Sequence, residues 1–83
     1  MSDIHERFGR NVYWHRVEQG KSYRDLSKAS GVSYSHISDI EHGIKGVSLR
    51  HAVALAEALD VPLADLVFKD AFAVAADAEQ EAA

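Results

Sequence analysis

The sequence has 83 residues, of which 47% are hydrophobic and 27% are charged, a mix that predicts one small folded domain. A chain of this length buries only about 60–65% of its unfolded surface, which argues against a large enclosed catalytic cavity. There is no cysteine, so disulfides, thiolate zinc sites and thiol nucleophiles are excluded and a reducing cytoplasm is the expected compartment. Because the N-terminal residues are polar and no apolar run is long enough to span a bilayer, we expect no signal peptide and no membrane partner.

The formal net charge is −4, and it comes entirely from the end of the chain. Residues 70–83 contain four acidic residues and no basic one, whereas residues 1–69 contain nine of each. Because binding follows local potential rather than net charge, the neutral part can still place positive charge on one face. We therefore predict a folded domain over residues 1–69 and a short acidic, alanine-rich extension over residues 70–83, either helical or disordered.

Five short helices are predicted, and no segment alternates apolar and polar residues as a strand would. The first covers residues 4–18, where the apolar side chains are Ile4, Phe8, Val12, Trp14 and Val17. The second covers residues 23–30 after a cap at Ser22, with Leu26 and Ala29 expected on its buried face.

The remaining three helices complete an all-α domain. The third covers residues 34–42 after a cap at Ser33, and it is expected to bury Ile37 and Ile40. The fourth covers residues 49–59 after a cap at Ser48, and its apolar stripe consists of Leu49, Ala52, Val53, Ala56 and Leu59. The fifth is expected to include Pro62 at an early helical position, where its missing N–H costs little.

The most informative stretch is residues 23–42, in which two short helices meet at Gly31. Glycine suits a turn that needs a left-handed backbone conformation. Val32 fits the corner between the helices, and Ile37 and Ile40 fit the side of the second helix that packs on the first. The residues left facing outward together are Tyr34, Ser35, Ser38 and Asp39. In a helix-turn-helix, this outward edge enters the major groove of DNA.

Residues 8–67 resemble the Xre/Cro-C1 type of helix-turn-helix domain, which occurs in phage repressors, restriction–modification controller proteins and antitoxins. The run Ile-Ser-x-Ile-Glu-x-Gly at residues 37–43 is typical of it, as is the spacing of that run from Gly31 and from Leu-Ala-Glu-Ala-Leu at residues 55–59. The resemblance implies a five-helix, lambda-repressor-like fold and a DNA-binding transcriptional regulator, most simply a repressor, rather than an enzyme.

The resemblance also implies roles for individual residues. It predicts a structural ion pair between Arg16 and Glu41, and base reading by Tyr34, Ser35, Ser38 and Asp39. It places phosphate contacts at Tyr23, Arg24, Ser33, His36, Gly43 and Lys45, although for Arg24 an ordinary surface position is an equal alternative. The carboxylate of Asp39 would accept a hydrogen bond from a cytosine amino group, or orient a neighbouring side chain. His15 and Lys21 depart from the family, which usually has leucine at both positions.

A homodimer on a pseudo-palindromic operator is expected, because one reading helix covers too few base pairs for adequate specificity. The predicted dimer interface consists of Val61, Leu63, Val67, Phe68 and Phe72. Two alternatives stay open: an antitoxin that also binds a toxin through helix 5 or the tail, and a protein-interaction module that does not bind DNA.

Neither a metal nor another cofactor is expected. The histidines lack the spacing of a helical metal pair, and Ser35, His36 and Asp39 diverge around one helix, so they do not form a catalytic triad. The protein is expected in the cytoplasm, associated with the nucleoid when bound to DNA.

Overall fold

The computed structural model describes residues 3–70, and within this range the chain forms five α-helices and no strand. The helices are α1 (Ile4–Glu18), α2 (Tyr23–Ser30), α3 (Tyr34–Glu41), α4 (Leu49–Ala58) and α5 (Leu63–Val67). The predicted all-α, five-helix architecture is confirmed. None of these helices is both long enough and apolar enough to cross a bilayer.

Three details of the predicted elements are wrong. Helices α3 and α4 each end one residue earlier than expected, because His42 and Leu59 form their C-caps. Pro62 precedes α5 as its N-cap, in an extended conformation, rather than lying inside the helix. The acidic extension beyond Asp70, including Phe72 of the predicted dimer interface, lies outside the described residues.

Side-chain caps fix where the first four helices begin. Asp3, Ser22, Ser33 and Ser48 each accept a hydrogen bond from a backbone N–H in the first turn that follows. At α2 the cap is reciprocal, since the Asp25 carboxylate accepts from the Ser22 N–H at 2.9 Å and the Ser22 hydroxyl accepts from the Asp25 N–H at 3.0 Å. Such caps supply partners for donors that a helix leaves unpaired, and they set Tyr34 as the first residue of α3.

The core is a single apolar cluster to which all five helices contribute. Helix α1 packs on α3 and α5, while α2 packs on α3 and α4. The buried apolar residues are Phe8, Val12, Leu26, Val32, Ile37, Ile40, Ala52, Leu55, Ala56, Leu59 and Leu66.

Five positions of the predicted apolar faces are exposed instead, namely Ile4, Val17, Ala29, Leu49 and Val53. The buried arc of α4 is centred on Leu55, Ala56 and Leu59, so Val53 turns away from it. Helix α2 buries only Leu26.

Helix α5 has only five residues, and a helix this short is not stable alone. Side chains of α1 hold it in place. The fully buried Asn11 donates from Nδ2 to the carbonyl oxygens of Leu66, at 2.8 Å, and Lys69, at 2.6 Å. Arg7 donates from Nε to the carbonyl oxygen of Val67 at 2.8 Å. These bonds satisfy carbonyls that a helix end leaves without partners.

Gly9 sets how closely α1 crosses the C-terminal end of α3. A Cβ atom at this position would collide with the backbone carbonyl of Ile40. The absence of a side chain therefore lets the two backbones touch, and this crossing fixes the orientation of α3 relative to α1.

Candidate nucleic-acid interface

The turn between α2 and α3 determines how α3 is presented. Gly31 ends α2 in the left-handed conformation, with φ of 77°, which glycine adopts without the cost of a Cβ. The Ser27 hydroxyl donates to the carbonyl oxygen of Val32 at 2.7 Å, and the N–H of Val32 donates to the Ser30 hydroxyl at 3.1 Å. The buried Val32 side chain and these two hydrogen bonds hold the corner in one geometry.

One edge of α3 faces solvent because its other side is consumed by the core. Ile37 and Ile40 are 0% and 1% exposed. Tyr34 and Ser35 are exposed, while Ser38 and Asp39 are half-buried beside them. We call these four residues the reading edge; the structure brings them together on α3, and their contact with bases remains a prediction.

An ion pair links the reading edge to the loop that follows α3. The Lys45 ammonium lies 3.6 Å from a carboxylate oxygen of Asp39, and the lysine side chain is well exposed. Exposed pairs of this kind contribute only about 0–1 kcal/mol. Lys45 can therefore leave Asp39 for a phosphate at little cost.

The ion pair implied by the resemblance is present between α1 and the last residue of α3. Arg16 donates from Nε to Glu41 Oε2 at 2.7 Å and from Nη2 to Oε1 at 3.1 Å. The Glu41 side chain is only 2% exposed. The hydrogen bond to Glu41 raises the pKa of Arg16 despite the opposing effect of burial. The pair fastens the C-terminal end of α3 to α1.

The Tyr23 hydroxyl, which is predicted to contact a phosphate, is hydrogen-bonded within the protein. The hydroxyl donates to Glu41 Oε1 at 3.1 Å, and the Arg16 guanidinium carbon lies 4.2 Å from the ring centroid. Burial raises the pKa of Tyr23, and the charge of Glu41 and its hydrogen bond add to that rise. Donating to a phosphate would require breaking the bond to Glu41, and the phosphate contact stays a prediction.

The other predicted phosphate contacts differ in accessibility. Arg24, Gly43 and Lys45 are exposed. The Ser33 hydroxyl already caps α3, accepting from the His36 N–H at 3.3 Å. The His36 ring is half-buried and packs edge-on against His51, with 4.7 Å between ring centroids. Within residues 3–70, no group of three or more side chains could hold a metal ion.

A second surface lies where the starts of α1 and α4 meet the end of α5. A groove of about 230 Å³ opens there, and it is lined by Ile4, His5, Phe8, Val47, Leu49, Ala52 and Val67. Leu49 and, just after α5, Phe68 are 75% and 79% exposed. We call Ile4, Leu49, Val67 and Phe68 the apolar end.

The predicted dimer residues are divided by the structure. Val61, Leu63 and Val67 are half-buried and pack against the core, whereas Phe68 is exposed. Leu49 and Ile4 are exposed as well, although their helical periodicity predicted them as core residues. The sequence pattern does not show that neighbouring helices leave these two side chains uncovered.

A sequence profile of the Helix-turn-helix family HTH_3 matches residues 12–66. This match covers well over half of the chain, and the chain belongs to that family. It is thus a DNA-binding transcriptional regulator of the Xre/Cro-C1 type and not an enzyme. No curated protein sequence matches the chain.

Solved structures of regulators share the fold. The chain is 32% identical to the restriction-modification controller protein C.AhdI from Aeromonas hydrophila, with a TM-score of 0.72 over 75% of this chain and 94% of that one. It is 31% identical to the clp gene regulator ClgR from Corynebacterium glutamicum, with a TM-score of 0.79 over 96% of this chain and 85% of that one. The controller protein C.Esp1396I, at 19% identity, has a TM-score of 0.74 over 87% and 97% of the respective chains and supports the fold alone.

Proposed function

We propose that this protein recognises a pseudo-palindromic DNA operator as a homodimer, with α3 in the major groove, and that it represses transcription. The observation that carries this proposal is the reading edge, a polar, solvent-facing side of α3 whose opposite side is locked into the core. A helix held in this way inserts into the groove as a rigid element and pays little ordering cost on binding. The similarity to C.AhdI and ClgR, a controller protein and a gene regulator, supports a regulatory role.

The side chains of the reading edge suit discrimination between base pairs more than non-specific binding to DNA. Asp39 can only accept hydrogen bonds when it is ionised, which fits a cytosine amino group and disfavours guanine acceptors. The hydroxyls of Ser35 and Ser38 can donate or accept. Lys45, Arg24 and the backbone around Gly43 would hold phosphates and fix the register of α3, with Ser33 and His36 at the margin of the same surface.

The apolar end supports self-association. Leu49 and Phe68 are large apolar side chains that no described residue covers, and exposed apolar patches of this kind mark association sites. A two-fold dimer that reads two half-sites needs its reading edges on successive turns of the duplex, about 34 Å apart. We place the protein in the cytoplasm, and on the nucleoid when it is bound to DNA.

Sequence recognition is tested with duplexes selected by the protein from a random pool. We expect the wild-type protein to prefer the selected duplex over random duplexes, with an affinity for both that falls steeply as salt rises. Tyr34→Ala and Asp39→Ala should lose this preference, while Glu57→Ala, an exposed change on α4, should retain it. An unchanged preference in both reading-edge variants would refute the assignment of the reading edge. The absence of DNA binding at any salt concentration would favour the protein-interaction module.

Dimerisation is tested by sedimentation of Leu49→Glu and Phe68→Glu. Burying an unpaired carboxylate in an apolar contact is costly, so both variants should be monomers at concentrations where the wild-type protein is a dimer. Val17→Glu, an exposed apolar position near the other end of α1, is the matched control and should remain dimeric. A wild-type monomer, or a Phe68→Glu dimer as stable as the wild type, would exclude this interface. Tight binding of a toxin protein at the apolar end instead would favour the antitoxin function.

A further inference from the structure

Tyr23 is the first residue of α2, and it contacts three functional elements at once. Its hydroxyl donates to Glu41, its ring lies under the Arg16 guanidinium, and its ring edge packs against Tyr34 with 5.1 Å between centroids and 68° between planes. Arg16 belongs to α1, whereas Tyr34 and Glu41 are the first and the last residue of α3. No other side chain among the described residues is seen to join the ion pair to the reading edge.

We propose that Tyr23 is a positioning residue for the reading edge, which fixes the ring of Tyr34 and ties it to the Arg16–Glu41 ion pair. This inference rests on the proposed function, because it assigns a purpose to the orientation of Tyr34. It replaces the phosphate contact expected for Tyr23 with an internal role.

Tyr34 needs such support because of its place in the helix. It is the first residue of α3 and is 58% exposed, so the core does not restrict its ring. A perpendicular aromatic neighbour at this distance favours one orientation through the edge-to-face attraction of the two rings. A ring already held in its bound orientation loses less freedom when it meets a base.

Tyr23 is itself held firmly enough to act as a support. Its phenolic proton is used by Glu41, a phenol has only one proton to donate, and its ring face is occupied by the guanidinium. A tyrosine hydroxyl with an ordinary pKa of about 10 is protonated throughout the neutral range, and the pKa of Tyr23 is raised further, so the donor persists there. Two independent contacts therefore fix the ring that packs against Tyr34.

The test compares Tyr23→Phe, Tyr23→Ala, Tyr34→Ala and the double alanine variant. The readout is the ratio of dissociation constants for random and selected duplexes. Any partial unfolding lowers the affinity for both duplexes equally, so this ratio reports positioning alone. We expect the ratio to fall about tenfold in Tyr23→Ala, which is the scale of discrimination at a single base pair. In Tyr23→Phe, which keeps the ring, the ratio should fall only about twofold. The double variant should match Tyr34→Ala, because both changes remove one interaction.

Two results of this binding test would overturn the inference. Equal losses for selected and random duplexes in Tyr23→Phe would identify a phosphate contact, and additive losses in the double variant would show that the two tyrosines act independently. A second measurement needs no DNA: the ring proton resonances of Tyr34 in the free protein should shift in Tyr23→Ala and stay in place in the control Phe68→Ala, which removes an exposed aromatic ring at the apolar end.

Tyr34 resonances that are identical in Tyr23→Ala and the wild type would refute the contact. A wild-type protein without sequence preference would instead refute the proposed function, while the shift would still decide whether Tyr23 positions Tyr34.

Discussion

The α2–α3 side of the domain and its apolar end differ in what they leave at the surface. On the α2–α3 side, the reading edge consists of polar and aromatic side chains, and two of them contact neighbouring residues, Asp39 with Lys45 and Tyr34 with Tyr23. At the apolar end, Leu49 and Phe68 extend into solvent with most of their surface exposed. The first surface suits a polar, patterned partner and the second suits an apolar one.

The two regions also differ in how they are anchored to α1. Helix α3 is held by a buried bidentate ion pair and by the close crossing at Gly9. Helix α5 is held by hydrogen bonds from Asn11 and Arg7 to its last carbonyls. Helix α3 is thus anchored by a pair of side chains and a backbone crossing, whereas α5 is anchored by α1 side chains that donate to its backbone. Changes to the two sets of anchors should therefore have separable consequences.

The largest effect is expected from Glu41→Ala on the α3 side. This change removes the carboxylate partner of the partly buried Arg16 guanidinium, which keeps its hydrogen bond to the Lys21 carbonyl oxygen. The loss should therefore be about 3 kcal/mol, the lower end of the range for breaking a buried pair. Urea unfolding measures this loss, with the surface change Glu57→Ala as control, for which about 0.5 kcal/mol or less is expected. A loss below about 1 kcal/mol would mean that the pair behaves as an exposed surface pair.

Gly9→Ala should follow in size. The added methyl group meets the carbonyl of Ile40, which belongs to a helix backbone and cannot rotate away, so overpacking should cost about 1–3 kcal/mol. Because α3 must shift, the preference for selected duplexes should fall as well. Gly46→Ala is the matched control, since its methyl group would meet only the side chain of His5. Equal stabilities of the two variants would show that the crossing tolerates a side chain.

Asn11→Ala tests the anchoring of α5. It leaves two carbonyl groups without their donor, and an unsatisfied buried polar group costs about 1–3 kcal/mol. Amide hydrogen exchange should accelerate in α5, and dimerisation should weaken because Phe68 directly follows that helix. The sequence preference per bound protomer should persist, in contrast to Gly9→Ala. Unchanged exchange rates in α5 would show that apolar packing alone holds the helix.

The sequence predicted the fold well because its strongest signals are local. A serine before each of three helices, Gly31 at the turn and the spacing of Ile37 and Ile40 each act within a few residues, so one sequence suffices to place α2, α3 and the start of α4. The Arg16–Glu41 pair lay within reach only through the family resemblance. The reading edge followed by elimination, once the core positions of α3 were known.

Contacts between distant elements could not be predicted in this way. The bonds from Asn11 to the end of α5 join residues 55 and 58 positions apart, and an asparagine in a helix gives no sign of its distant partner. The resemblance predicted a phosphate contact for Tyr23, but its hydrogen bond to Glu41 depends on where the end of α3 lies, which the sequence does not show. The exposure of Leu49 depends on which elements cover it, and an apolar stripe does not contain that information.

The smallest expected effect concerns the pH dependence of the cap on α2. The hydrogen bonds from the backbone and side chain of Ser22 lower the pKa of the exposed Asp25. A carboxylate with a lowered folded-state pKa stabilises the fold above its unfolded pKa of about 3.9 and loses this contribution as the pH falls through the folded value. Asp25→Asn should therefore melt at a lower temperature than the wild type near neutral pH.

The difference between the two melting temperatures should disappear as the pH falls below the folded-state pKa of Asp25, because the wild-type carboxylate is then protonated. Thermal melts followed by circular dichroism across the acid range measure this convergence. A constant gap would mean that the geometry of the Asp25 side chain, rather than its charge, supports the start of α2. In that case the helix that carries Tyr23 would keep its cap at any pH at which the domain is folded.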